Sequence, residues 1–252
     1  MPQFSDDLFL GPAQTYMGTN VNSNLGDPSP MDLGVGPVGR IYVWDTVPLT
    51  KGAANIAAAS AYTGAITLTA GTGVTSVVRS DGVTALQLDV PRAVSVTIGA
   101  GTITDRNVTV TGYDYYGQKM SEVIATGTTQ STTVNGKKAF FQIISASVSG
   151  AVGATISLGT ADIFGSPVRF TNRGYLARVG WDNTLAENAA TATVADTATA
   201  TTTTGDVRGT VAPSSAADGA KRLVVAVLLT AIQVGPNATR AGALGVDQNL
   251  VS

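Results

Sequence analysis

From residue 63 the chain alternates between apolar and polar positions. The segments AITLTA, VTSVVRS, ALQLDV, AVSVTIG, NVTVTGYD, KMSEVIATG, AFFQIISASV and ATISLG follow one another at spacings of roughly 8 to 14 residues. A period of two sends successive side chains to opposite faces, which suits half-buried strands and not helices. Short strands at that spacing, with turn residues between them, predict a sandwich or barrel. Asp81-Gly82 and Asn135-Gly136 are pairs that tolerate positive φ at both central positions of a type I′ hairpin turn. Asp114 to Gly117 (DYYG) closes a longer hairpin between NVTVTG and QKMSEVI.

The flanks read differently. Residues 1 to about 40 are rich in Gly, Pro, Asn and Ser and carry neither a helical nor a strand period. They nevertheless hold Phe4, Leu8, Phe9, Leu10, Tyr16, Met17 and Leu33, more apolar anchors than a linker needs. This is an extended arm that orders either against a neighbouring subunit or along its own domain. Arg40 to Trp44 (RIYVW) is a strand, and KGAANIAAAS (51 to 60) a short helix or a loop. After Gly165, SPVRF reads as a further strand. The tract 186–205 is Thr/Ala-rich with few large apolar groups, which predicts an exposed loop or edge element. Leu223 to Val234 is a twelve-residue apolar run broken by Thr230 and Gln233. It is too short for the roughly 20 residues that span a bilayer, and reads as one or two buried strands. The expectation is an all-β protein, a β-sandwich or jelly-roll-like fold with an extended N-terminal arm. Residues 1–62 supply the arm and first strand, 63–165 the sandwich, and 166–252 a β portion that completes the core.

Composition sharpens this. The 252 residues include 35 Thr and 29 Gly, with 44% hydrophobic but only 6% aromatic, so the core is built from small β-branched layers. There is no His and no Cys. That removes the commonest general bases and zinc ligands and every thiol mechanism. A Ser nucleophile would need a Lys base, and no Ser-x-x-Lys occurs. GTGVTS and GPVGR lack the Lys and hydroxyl of a phosphate loop. Glu122 and Glu187 lie apart from any cluster of sugar-stacking aromatics. The reading is therefore non-enzymatic, with no cofactor and no metal. A net charge of −2 and dispersed Lys and Arg supply no field for nucleic acid. The start MPQFSDDLFL is unlike a secretory signal, which points to synthesis in a cytoplasm and to no membrane association.

Two groups carry interface chemistry. Tyr113, Tyr115 and Tyr116 sit at the DYYG hairpin, either as an exposed contact surface or as a cover for the end of the core. Arg173, Tyr175, Arg178 and Trp181 combine the residue types enriched at interface hot spots. With Phe4, Leu8, Phe9 and Tyr16 of the arm they form the candidate subunit or capsid interface.

The stretch NVTVTGYDYYGQKMSEVIATGTT, then GKKAFFQIISASVSG and ATISLGTADIFGSPVRF, resembles the virion structural proteins of tailed phages. DVRGTVAPSSAADGAKRL and NATRAGALGVDQ are similar to their closing segments. The resemblance covers about half the chain, residues 107 to 170 and 206 to 248, and its motifs shape loops: Asp114, Gly117, Gly136, Gly165 and Pro167. It implies a capsid decoration or cement protein, made in the host cytoplasm and bound to the capsid surface of the virion. The implied partner is the major capsid protein, with the chain a homo-oligomer, trimer or dimer. A tail-fibre or adhesin-type module that binds a receptor or glycan is the alternative.

Overall fold

The computed structural model describes residues 9–10, 39–182, 190–196 and 200–229. Among them the regular structure is β-strand apart from a 3-10 turn at Arg173–Tyr175, as the alternation predicts. The strands are β1 (Phe9–Leu10), β2 (Gly39–Thr46), β3 (Ala57–Ser60), β4 (Val74–Val78), β5 (Thr84–Ile98), β6 (Asn107–Tyr113) and β7 (Lys119–Ala125). They continue as β8 (Thr132–Val148), β9 (Ile156–Gly165), β10 (Leu176–Trp181), β11 (Thr191–Thr193), β12 (Thr210–Ala212) and β13 (Leu223–Leu229). A four-stranded sheet runs β1-β2-β13-β10, and a nine-stranded one runs β11-β12-β9-β5-β8-β6-β7, with β3 added on β9 and β4 on β5. All pairings are antiparallel. The curled sheets are consistent with a sandwich-like fold.

Two strands of the large sheet are too long for a single set of neighbours. Along one edge β5 pairs with β4 through Thr84–Leu88 and then with β9 through Arg92–Ile98. Pro91, which has no N–H to give, sits in the gap between the two ladders, where none is required. β8 pairs with β5 over its first part and with β6 from Gln142 to Val148.

Two hydrophobic clusters result. The first is lined by β5, β6, β8 and β9 through Val94, Val96, Ile98, Val108, Val110, Phe140, Ile143 and Leu158. The second joins β2, β10 and β13 to the end of β9 through Trp44, Phe164, Phe170, Trp181, Leu223, Val225 and Val227. Each fully buried Val, Ile, Leu or Phe contributes about 1.5–3 kcal/mol. The C-terminal apolar run is thus one strand as far as Leu229, sandwiched between β2 and β10.

Several local expectations change. KGAANIAAAS is not helical: Ile56 and Ala57 sink into the first core, and Ile56 N–H bonds Leu158 O at 3.0 Å. Tertiary partners on β9 outweigh the helical preference of its alanines. ALQLDV and AVSVTIG fuse into β5, and AITLTA makes only an isolated bridge, Ala65 to Ser147. SPVRF forms no strand. Its Ser166 N–H bonds Gly209 O and its Val168 and Phe170 fill the second core. Asp81-Gly82 does close a hairpin, with only Gly82 at positive φ (79°). Gly82 N–H bonds Arg79 O and Arg79 N–H bonds Val83 O, the three-residue loop with a glycine bulge, not the two-residue I′ turn.

Asn135-Gly136 is no turn at all. It lies inside β8, where a Cβ on residue 136 would stand 2.6 Å from Glu122 Oε2. Glycine is there so that a carboxylate can approach the backbone. Within 186–205 the described residues include an edge element, as the composition predicts, together with buried alanines that it does not. Thr191–Thr193 is an edge strand, Ala190, Ala195 and Ala200 are buried, and Thr202 O accepts from Val123 N–H of β7 at 2.8 Å. Small side chains suit a segment pressed flat over a sheet edge, and covering that edge guards it against pairing with another chain.

Candidate functional site

The DYYG turn is built on the Asp114 carboxylate. Its Oδ1 accepts the N–H groups of Tyr116 and Gln118, both at 2.8 Å, and Gly117 takes φ 77° to let the chain return. Oδ2 pairs with Arg208 at 2.9 Å, and both side chains are buried. The hairpin is thereby fastened to the segment before β12. The Arg208 guanidinium also lies 5.1 Å from the centre of the Tyr116 ring, whose hydroxyl donates to Pro167 O at 2.6 Å. The Tyr115 ring stands edge-on to Tyr116 at 5.3 Å and to Phe141 at 5.6 Å. Tyr42 of β2 joins this corner: burial, then the neighbouring Tyr116 and Tyr115, push its hydroxyl well above the usual tyrosine range.

Tyr113 is half-buried beneath Arg79, whose guanidinium carbon lies 3.5 Å from the ring centre. Arg79 also holds Asp81 at 3.3 Å and donates to Gln142 Oε1. This draws the β4–β5 tip over the β6–β8 rung, and leaves Val78 74% and Val83 40% exposed beside it. Tyr113 and Tyr115 are half-buried, and Tyr116 is 44% exposed.

The second predicted group does not form one surface. Trp181 belongs to the second core and Tyr175 packs against it. Arg173 is exposed and donates to Ala190 O at 2.8 Å, and Arg178 donates to Asp182 O at 2.7 Å. Phe4, Leu8 and Tyr16 lie outside the described residues. Phe9 is described only as backbone, opposite Arg40 in β1–β2.

The least exposed chemistry is a set of charges within the sheets. Arg92 of β5 is 1% exposed, and all its nitrogens are used. Nε donates to Ala161 O at 3.0 Å, Nη1 to Leu49 O and the Asp89 carboxylate, and Nη2 to Asp162 at 2.7 Å. Lys138 of β8 is fully buried, and its Nζ has no hydrogen-bond partner. Two buried carboxylates attach to the backbone beside it. Glu122 of β7 accepts from Lys137 N–H on Oε1 and from Lys138 N–H on Oε2 at 3.3 Å, within the β8 bulge. Asp206 accepts from Ala139 N–H on Oδ2 at 3.0 Å and from Arg208 N–H on Oδ1 at 2.9 Å. Burial pushes the Glu122 carboxyl up to about 7 against the pull of those N–H donors and of Lys138. Burial pulls the Lys138 amine down, opposed by Asp206, Glu122 and Asp196.

Sequence reasoning missed Arg79, Arg92, Lys138, Asp206 and Arg208. A signal existed for Glu122. In KMSEVIA it shares the face of Met120 and Ile124, so a charge falls on an apolar face. Comparison with protein-family models, with characterised proteins and with solved structures finds no match.

Proposed function

We propose that the chain is a structural protein of a tailed-phage virion that decorates the head. It would bind the major capsid protein from outside as a homo-oligomer and act without cofactor. The observation that carries this reading is a pair of hairpin tips with exposed anchors: the β4–β5 tip, where Val78 and Val83 are exposed beside the Arg79–Tyr113 stack, and the DYYG turn, where Tyr116 is 44% exposed. Aromatic and Arg side chains held rigidly beside exposed apolar groups are what protein interfaces use as anchors. Here they sit on hairpins tied down by Asp114–Arg208 at the DYYG turn and by Arg79 on Gln142 and Tyr113 at the β4–β5 tip, so little ordering remains to oppose binding. Whatever binds only the assembled shell stabilises it by mass action.

The test is co-sedimentation of the purified protein with phage heads assembled without it. Saturable binding at a fixed ratio to the major capsid protein is expected. Arg79→Ala combined with Tyr116→Ala should weaken it by about tenfold or more. Absence of binding by the wild-type chain would overturn the reading.

A further inference from the structure

A buried ammonium with no partner is costly, and proteins ordinarily pair it or leave it out. Lys138 does neither. It is fully buried, its Nζ makes no hydrogen bond, and the backbone on either side of it holds a carboxylate: Glu122 on the N–H groups of Lys137 and Lys138, Asp206 on that of Ala139. Glu122 is 2% exposed and Asp206 3%. The three side chains come from β7, from β8 and from the segment before β12, so the tertiary fold alone brings them together.

We propose that Lys138 and Asp206 condense in the folded chain into an intramolecular amide, with Glu122 as the proton carrier. In this step the Lys138 Nζ lone pair attacks Asp206 Cγ and forms an N–C bond. One Cγ–O bond breaks, and its oxygen leaves as water with two protons from the amine. Glu122 relays one of them and ends in its starting state. An ammonium and a carboxylate go in, an amide and a water come out, and no oxidant or other reactant is consumed.

Each group suits its part. Desolvation favours the neutral amine, which is the nucleophilic form. Hydrogen bonds from Ala139 N–H and Arg208 N–H reach both oxygens of Asp206, fix Cγ in place and stabilise charge developing on oxygen. Glu122, pushed up to about 7, both holds and releases a proton near neutrality. Asp206 is the acyl partner because its carboxylate is buried and held at 3.0 Å by Ala139 N–H, the residue next to Lys138, while both oxygens of Glu122 are taken by the N–H groups of Lys137 and Lys138. The product removes the buried charge that the sheet otherwise leaves unpaired. This inference is independent of the decoration reading.

The test is the intact mass of the purified, denatured full chain. The expected value is lower than that of the sequence by one water, with tandem spectra showing a branched peptide joining residues 138 and 206. A succinimide at Asp81-Gly82 or Asp218-Gly219 would give the same mass change but leave those peptides linear, so localisation decides. Lys138→Arg and Glu122→Ala should both restore the full mass. A wild-type chain at full mass, or a water lost elsewhere, overturns the proposal without needing any variant to fold.

Discussion

Arg92 and Lys138 are two cations sunk in the same nine-stranded sheet, and the fold treats them in opposite ways. Arg92 is met by Ala161 O, Leu49 O, Asp89 and Asp162, which tie β5 to β9 and to the loop before β3. Its planar fork of donors can satisfy several acceptors at once, and its charge cannot be given up. Lys138 has acceptors around it, yet those acceptors are turned to backbone N–H groups and its Nζ is left alone. An amine can shed its proton and react, and a guanidinium cannot. A buried Arg therefore marks a joint, and a buried, unpartnered Lys flanked by carboxylates marks a place where chemistry relieves the cost of burial.

The sharpest way to break this contrast is to remove each cation in turn and compare denaturant midpoints. Arg92→Ala leaves Asp89 with only Leu49 N–H and Asp162 with only the more distant Lys51, and removes packing on Phe164, so it should cost about 3–5 kcal/mol. Lys138→Met should cost about 4 kcal/mol, because it opens a covalent loop of nearly 70 residues and restores the entropy of the unfolded chain. Were Lys138 a mere orphan charge, the same substitution would leave stability unchanged or raise it.

A smaller effect separates the two regions by pH. The Glu122 carboxyl, raised by burial from its ordinary 4.5 to about 7, binds its proton more tightly in the folded chain than in the unfolded one. Its contribution is therefore fully present below pH about 4.5 and is lost as pH rises to about 7, a change of about 3 kcal/mol. Urea titrations across that window should show the slope in the wild type and a flat response in Glu122→Gln. An equal slope in both would assign the pH dependence to other groups.

The strands were legible because alternation is a local property. Val108, Val110 and Gly112 against Thr109, Thr111 and Tyr113 already divide β6 into its two faces. Turn chemistry was legible where the side chain acts on its own backbone, as Asp114 does. It failed at Asn135-Gly136, where the reason for the glycine is Glu122, on another strand. Composition was a fair guide to the edge strand Thr191–Thr193 but not to the three buried alanines around it, which need only a flat surface above them that no single-residue hydrophobicity reveals. The charged groups were hidden for the same reason. Asp206 and Lys138 are far apart in the chain, and only the pairing of β12 with β9 and of β9 and β8 with β5 brings them to one place.

The most direct measurement is a high-resolution density map of the region around Lys138. The account predicts continuous planar density from Nζ to Cγ of Asp206, with Glu122 hydrogen-bonded beside it. Separate, well-resolved ammonium and carboxylate groups would contradict it.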